Sequence, residues 1–303
     1  MLRSLLLYLS EREFPKNLLT RHALGRRLAA RFIAGEELKI ALRAVRQLNA
    51  EGFGVTLDYL GESVHEAATA GEACRVYLEI LDRLATERVN SHVSVKLTQL
   101  GLAIDEAMTC QHLKAICERA ARHHNFVRVD MEGSAYTDAT LRVFREAGAP
   151  RDVLGIVIQA YLYRSEEDVE DLLSRASRIR LCKGAYKEPP EVAFPRKADV
   201  DRNYIKLMEK LLLSGHYHAI ATHDPRMIAA TQDFARGQRI GMDCYEFQML
   251  YGIRRRLQRE LLQQGYHVRI YVPYGKQWYA YFMRRLAERP ANLLFLLRNL
   301  FRA

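Results

Sequence analysis

The 303-residue chain has no CxxC pair, no glycine-rich GxGxxG turn, no GxSxG nucleophile elbow and no long uncharged apolar run. Its five cysteines, Cys74, Cys110, Cys117, Cys182 and Cys244, are widely spaced and odd in number. That excludes a disulfide framework and a thiolate zinc site, and it is the pattern of a reduced, cytoplasmic protein. No apolar stretch reaches the roughly 18 residues of a membrane-spanning helix. The opening MLRSLLLYLS meets Glu11, Arg12 and Glu13 at once and has no small-residue cleavage site, so no signal peptide is expected. Low-complexity tracts and Pro/Gly/Ser-rich linkers are missing too, which points to one large domain. No nucleic-acid module is recognisable and the basic residues are scattered, so no nucleic-acid partner is expected.

What is present is an apolar fraction of 49%, ample for a core, and a net charge of +10 carried more by arginine than by lysine. A basic surface of this kind suits an acidic ligand or an anionic lipid face. Residues 1–50 read as helices, at Leu18–Phe32 and Glu36–Leu48 with Gly35 between them, a segment expected to pack on the domain formed by 51–303. From residue 52 onward short apolar runs alternate with helical spacing. The run Gly52–Gly61 reads as a buried strand, followed by Val93–Leu97, Phe126–Met131, Leu154–Ala160, Ile179–Cys182, Ala219–Thr222, Tyr245–Leu250 and Val268–Val272. Eight β/α units in about 250 residues predict a closed, parallel (β/α)8 barrel rather than an open doubly wound sheet.

Active sites of such barrels lie at the C-terminal strand ends. Seven of those ends carry ionisable or amide side chains: Lys96, Asp130 with Glu132, Gln159, Arg180 with Lys183, Thr222 with His223 and Asp224, Glu246 with Gln248, and Tyr271. One could be an ordinary polar contact; seven together predict a site. Lys96 or Lys183 could form a Schiff base or clamp an anion, with Asp130 or Glu132 as partners. No second ligand stands at metal-binding spacing from His223-Asp224, so no metal is expected. Lys183-Gly184-Ala185 places a small backbone beside a cation, which suits a planar or phosphate-bearing ligand.

The stretch His267–Arg289 begins as a strand, turns at Tyr274-Gly275 and becomes a helix. On a helical wheel Trp278, Tyr281, Arg284, Arg285 and Glu288 share one face, while Tyr279, Phe282, Met283 and Leu286 form an apolar docking face. Two adjacent arginines with a tyrosine one turn earlier could clamp a carboxylate or phosphate; an i, i+4 Arg284–Glu288 pair on a solvated face is the plainer alternative. The residues alone therefore specify a barrel enzyme with a basic mouth for an anionic ligand.

Six stretches carry a resemblance: Ser94–Gly101 (SVKLTQLG), Gln159–Tyr161 (QAY), Arg180–Tyr186 (RLCKGAY), Ala221–Arg226 (ATHDPR), Glu246–Gly252 (EFQMLYG) and Tyr281–Arg289 (YFMRRLAER). In this order, across nearly the whole chain, they resemble the proline dehydrogenase family, and specifically its stand-alone bacterial members. No aldehyde dehydrogenase half follows Ala303, so the single-activity enzyme is expected, with a separate pyrroline-5-carboxylate dehydrogenase acting downstream. Lys187 stands where bifunctional relatives have Trp after the GAY motif.

The resemblance implies a flavoprotein: a distorted (β/α)8 barrel that binds FAD without a Rossmann domain, its last helix displaced over the barrel mouth. It implies oxidation of L-proline to Δ1-pyrroline-5-carboxylate by hydride transfer to flavin N5, the first step of proline catabolism to glutamate. Electrons would pass to a membrane quinone. Lys96, Arg284 and Arg285 would take the substrate carboxylate, and Leu250, Tyr271 and Tyr281 would wall its ring. Asp130 would hold Lys96 or Tyr271 in place, and Arg180 would face the flavin N5 edge. Met131, Gln159, Lys183, Gly184, Ala185, Thr222, His223, Gln248 and Glu288 would complete the FAD site with Arg180. The apolar run Leu293–Leu297 with Leu300-Phe301, punctuated by Arg298 and Arg302, either rests on the inner face of the cell membrane or packs on protein. Three other readings stay open: a flavin barrel similar to methylenetetrahydrofolate reductase, a Schiff-base aldolase using Lys183, and an anion-binding or DNA-binding regulator.

Overall fold

The computed structural model describes residues 29–61 and 63–288. Eight parallel strands close into a barrel in chain order, β1 (Gly54–Tyr59), β2 (Ser91–Val95), β3 (Val127–Val129), β4 (Leu154–Gln159), β5 (Arg178–Cys182), β6 (His218–Ala221), β7 (Tyr245–Leu250) and β8 (His267–Tyr274), with β8 paired back onto β1. Helix α1 (Leu38–Ala50) precedes β1. The helices that follow the strands are α2 (Ala67–Thr86), α3 (Glu106–Arg122), α4 (Thr137–Ala147), α5 (Ser165–Ser174), α6 (Lys197–Leu213), α7 (Pro225–Gly237), α8 (Arg255–Gln263) and α9 (Tyr279–Glu288). The predicted barrel and all eight strands are present. The predicted helix Leu18–Phe32 falls mostly outside the described residues, as does the run 293–302.

The apolar core is the annulus between strands and helices. Val55, Leu57, Val93, Val95, Ile156, Ile158, Phe247 and Ile270 are buried in it with the inner faces of α2, α3 and α6, and Ala41, Leu42 and Val45 of α1 belong to the same cluster. Alternation then sends the intervening residues into the barrel, and these are polar: Thr56, Ser94, Arg128, Arg180, Glu246 and Gln248 are all buried. Bonds between strands that are not neighbours confirm their direction, since Arg180 Nη1 on β5 reaches Ser94 Oγ on β2 at 3.2 Å. Deeper in, Arg269 Nε holds both Glu246 oxygens at 3.0 Å, and Arg128 Nη1 donates to the Arg178 carbonyl at 2.7 Å. Aliphatic side chains are usual inside such barrels; here the aliphatic residues are the outward halves of the strands, and the inward halves carry charged and polar groups beside small ones such as Gly155 and Ala219.

The last helix does not continue the outer ring. It packs in a second cluster, where Tyr279, Phe282, Met283 and Leu286 meet Phe32, Ile33, Leu60 and Ile253. Gly275 makes the turn into it: its φ is +128°, and a Cβ there would come within 3.0 Å of the Leu60 carbonyl oxygen, so a larger residue is excluded twice over. The Gly275 N–H bonds Gly35 O at 3.0 Å, and Ala34 N–H bonds Pro273 O at 2.9 Å. Residues 29–35 therefore brace the strand-to-helix turn.

Candidate active site

A cavity of about 360 Å3 opens at the C-terminal strand ends under α9, a size in the usual range for small-molecule sites. Every site residue that the resemblance implies lines it apart from Glu288, while Glu132 and Glu246, the other polar residues of the strand ends, do not. Glu288 ends α9, and its side chain lies outside the described residues.

At the floor, five groups from five strands are tied together. Tyr271 Oη donates to Asp130 Oδ2 at 2.7 Å, and Arg180 Nη1 donates to Asp130 Oδ1 at 2.8 Å. Lys96 Nζ lies 3.5 Å from Asp130 and 3.4 Å from Tyr271 Oη. Its close partner is Asp58 on β1, at 2.5 Å. Burial alone would lower the Lys96 ammonium, but Asp58 and Asp130 outweigh it and hold it above its ordinary value. Burial pushes the Asp58 carboxyl up against the pull of Lys96, and burial with Asp130 pushes the Tyr271 phenol up as well. At neutral pH Lys96 is a cation and Tyr271 a donor. A charged Lys96 argues against its acting as a Schiff-base nucleophile, which requires the free amine.

The rim on the β5 and β6 side differs from its expected pairing. Lys183 does not reach Asp130 or Glu132; its ammonium sits between Asp201 at 2.5 Å and Asp224 at 2.9 Å. Lys197 and Arg226 join the same two carboxylates, so three cations against two anions leave one net positive charge. Burial would raise the Asp224 carboxyl, but Lys183 and Arg226 hold it well below the carboxylate range, and it caps α7 by accepting the Arg226 N–H at 3.1 Å. Glu132 is taken up instead by Thr98, at 3.1 Å from its N–H and 2.6 Å from its hydroxyl.

Gly184 has φ +121°, and a Cβ there would meet the Tyr161 ring at 2.4 Å. Its smallness admits Tyr161, and Gly184 also lines the cavity. Ala185 N–H bonds Gln159 Oε1 at 3.3 Å, while Gln159 Nε2 donates to the Glu132 carbonyl at 2.8 Å. Thr222 Oγ1 accepts the Asp224 N–H at 3.1 Å. His223 Nε2 accepts the Leu250 N–H at 3.0 Å, which assigns its proton to Nδ1. Met131 is buried beside this wall, and Gln248 lies under it, hydrogen-bonded down to Glu246.

The roof is α9. Tyr281, Arg284 and Arg285 line the cavity, and the Arg285 guanidinium lies 5.0 Å over the Tyr281 ring, a cation–π contact that fixes the fork. Arg285 is buried and Arg284 half-exposed. The helical wheel placed Trp278 with them. It belongs to the docking side, stacked edge-on against Phe282 with Nε1 donating to Glu36 at 3.0 Å.

Sequence reasoning gave no role to Asp58, Cys182 and Tyr186, which also line the cavity, as does Asp224 of the strand-6 end. Burial pushes the Cys182 thiol up to about 12, and burial followed by Glu132 pushes the Tyr186 phenol up to about 12. Both are neutral at physiological pH. A lone acid inside the apolar run GVTLDY was the available signal for Asp58.

The proline dehydrogenase family model matches residues 41–298 of this chain. The chain is 43% identical to proline dehydrogenase 2 of Bacillus subtilis, over 98% of each protein. It is 42% identical to proline dehydrogenase 1 of the same organism, over 99% of each. Its fold superposes with a TM-score of 0.82 on proline utilization A (PutA) from Bdellovibrio bacteriovorus, crystallised after inactivation by N-propargylglycine. That match has 29% identity and covers 87% of this chain but only 33% of the PutA chain.

Proposed function

The chain belongs to the proline dehydrogenase family, and on that premise we propose that it oxidises L-proline to Δ1-pyrroline-5-carboxylate in the cavity under α9. The observation that carries this reading is the facing of two cation sets across one small cavity, Arg284 and Arg285 above and Lys96 below. A guanidinium fork takes a carboxylate bidentately, so the three hold one end of an α-amino acid. Leu250, Tyr271 and Tyr281 then wall a flat ring whose size the gap selects.

The cofactor is FAD, which when bound accepts a hydride at its N5. The residues present fit it. Arg180 Nε is buried without a hydrogen-bond partner among the described residues and borders the cavity, a donor suited to a ring edge where negative charge grows. Met131, Val157, Ala221 and Met249 offer an apolar wall beside the amides of Gln159 and Gln248. Lys183, Gly184, Ala185, Thr222 and His223 complete the set among the described residues, with Glu288 added on the resemblance alone, and the net positive charge around Lys183 suits a phosphate. As the hydride leaves the ring carbon next to nitrogen, the nitrogen lone pair closes the C=N bond, and the N–H proton of the resulting iminium passes to water to give the imine. The amine must therefore be unprotonated. Asp130 keeps Tyr271 and Arg180 in register while this happens, a proximity effect.

Electrons would leave to a membrane quinone at the inner face of the cell membrane. No helix among the described residues is long and apolar enough to cross a membrane; we propose a peripheral contact. Hydrolysed product is an aldehyde acid, which a separate dehydrogenase of that class would consume.

The test is anaerobic addition of L-proline to the FAD-loaded protein. Bleaching of the flavin's visible absorbance is expected. No bleaching with proline, together with bleaching by NADPH, would overturn the reading in favour of a reductase similar to methylenetetrahydrofolate reductase. Time-dependent inactivation by N-propargylglycine, slowed by L-proline, is expected as well.

A further inference from the structure

We propose, resting on the reaction just described, that Asp58 is a positioning residue: its carboxylate fixes the Lys96 ammonium at the cavity floor, aimed at the substrate carboxylate. Asp58 stands on the inward face of β1, fully buried, in register with Ser94 of β2 and Pro273 of β8. One oxygen meets Lys96 Nζ at 2.5 Å. The other has no hydrogen-bond partner among the described residues. A buried carboxylate satisfied on one oxygen alone is costly.

Lys96 needs this partner. A lysine ammonium is a point charge on a flexible stem with three rotatable donors. Its other neighbours, Tyr271 Oη at 3.4 Å and Asp130 at 3.5 Å, are already committed to each other at 2.7 Å, and Asp130 is further committed to Arg180. Asp58 is the acid nearest the Lys96 ammonium, and its other neighbour, Tyr271, is held by Asp130. The remaining charged and titratable groups around the pair are Tyr77 on α2, Tyr274 at the end of β8, Glu132 after β3, and Tyr186 after β5 with Arg284 above it. Take Asp58 away, and burial pulls the Lys96 ammonium down with only the more distant acids opposing it. The cation that receives the substrate would then begin to titrate within the working pH range.

The experiment uses FAD-loaded wild type and Asp58→Asn, which keeps the shape and removes the charge. Bleaching of the wild type by L-proline is recorded first; its failure overturns the reading of the reaction, independently of Asp58. Given bleaching, Asp58→Asn should raise the proline KM about ten- to a hundredfold, the size of a lost charge-assisted hydrogen bond, with kcat changed less than KM. The ratio of variant to wild-type KM should climb further between about pH 8 and pH 10, as the ammonium of a lysine near its unperturbed range is lost. In a Lys96→Met background the same Asp58→Asn change should leave KM within about twofold. A pH-flat ratio, or an equal cost in both backgrounds, overturns the proposal. Asp58→Glu keeps the charge but misplaces it, and serves if the Asn variant does not fold. It should raise KM about tenfold without the high-pH limb, and an unchanged KM would overturn the proposal.

Discussion

The Tyr271 hydroxyl donates to Asp130 Oδ2 at 2.7 Å, from β8 across the barrel to β3, while the other Asp130 oxygen holds Arg180 of β5. One carboxylate thus sets the relative position of a ring wall and a guanidinium on three strands that do not touch. Tyr271→Phe keeps the ring and removes the bond. It should lower kcat/KM for proline about ten- to a hundredfold, with FAD content unchanged by absorbance ratio. An unaltered kcat/KM would show that the hydroxyl is a bystander.

Arg285→Lys retains charge but loses the fork and the 5.0 Å contact over Tyr281. Arg284→Met loses charge at a half-exposed position. Both should raise the proline KM steeply, Arg285→Lys by more than a charge-conserving change would suggest. Steady-state kinetics beside flavin content decide the matter: lost FAD with an unchanged KM would remove both residues from the carboxylate clamp.

His218 gives a pH dependence to stability. It is wholly buried at the start of β6, with Nδ1 accepting the Ile179 N–H at 3.1 Å and Nε2 2.9 Å from Ser214 Oγ. Burial, then Arg128, lowers it to about 3. Because the folded value is depressed, its contribution is present above the unfolded value of about 6.5 and is lost as pH falls from there toward about 3. Denaturant titrations should show wild-type stability falling by up to about 1.4 kcal/mol per pH unit from this group within that window. His218→Gln should be less stable at pH 7 and flatten the slope. Parallel curves would rule His218 out as the source.

Gly184→Ala places a methyl against the Tyr161 ring and forces φ +121° on a branched Cα. A cost of about 1–3 kcal/mol is expected, concentrated at the end of β5. Flavin occupancy should fall before the whole barrel melts, read as absorbance ratio against thermal unfolding. An unchanged melt and full occupancy would mean that Tyr161 can step aside.

Much of the site was legible because a barrel converts position along a strand into position in space. A polar residue in the last two or three positions of an apolar run must lie at the mouth, which is how Lys96, Asp130, Gln159, Arg180 and Gln248 could be found. Asp58 escaped because Tyr59, Leu60 and Gly61 follow it in its run and hide where the strand ends. Trp278 was placed on the wrong side because a helical wheel orders directions around an axis without saying where the barrel lies.

By itself the sequence determined the eight β/α units, the polar strand ends and the paired arginines, since these depend on periodicity and local order. Tertiary structure alone decided the partners. Lys183 meets Asp201 and Asp224 rather than Asp130, Lys96 meets Asp58, and arginines with a buried glutamate stand inside the barrel where such folds usually hold aliphatics. The physical reason is that an ion pair forms between groups that closure of the sheet brings within a few ångströms. Their separations in sequence, 18, 41 and 38 residues here, leave no periodic trace.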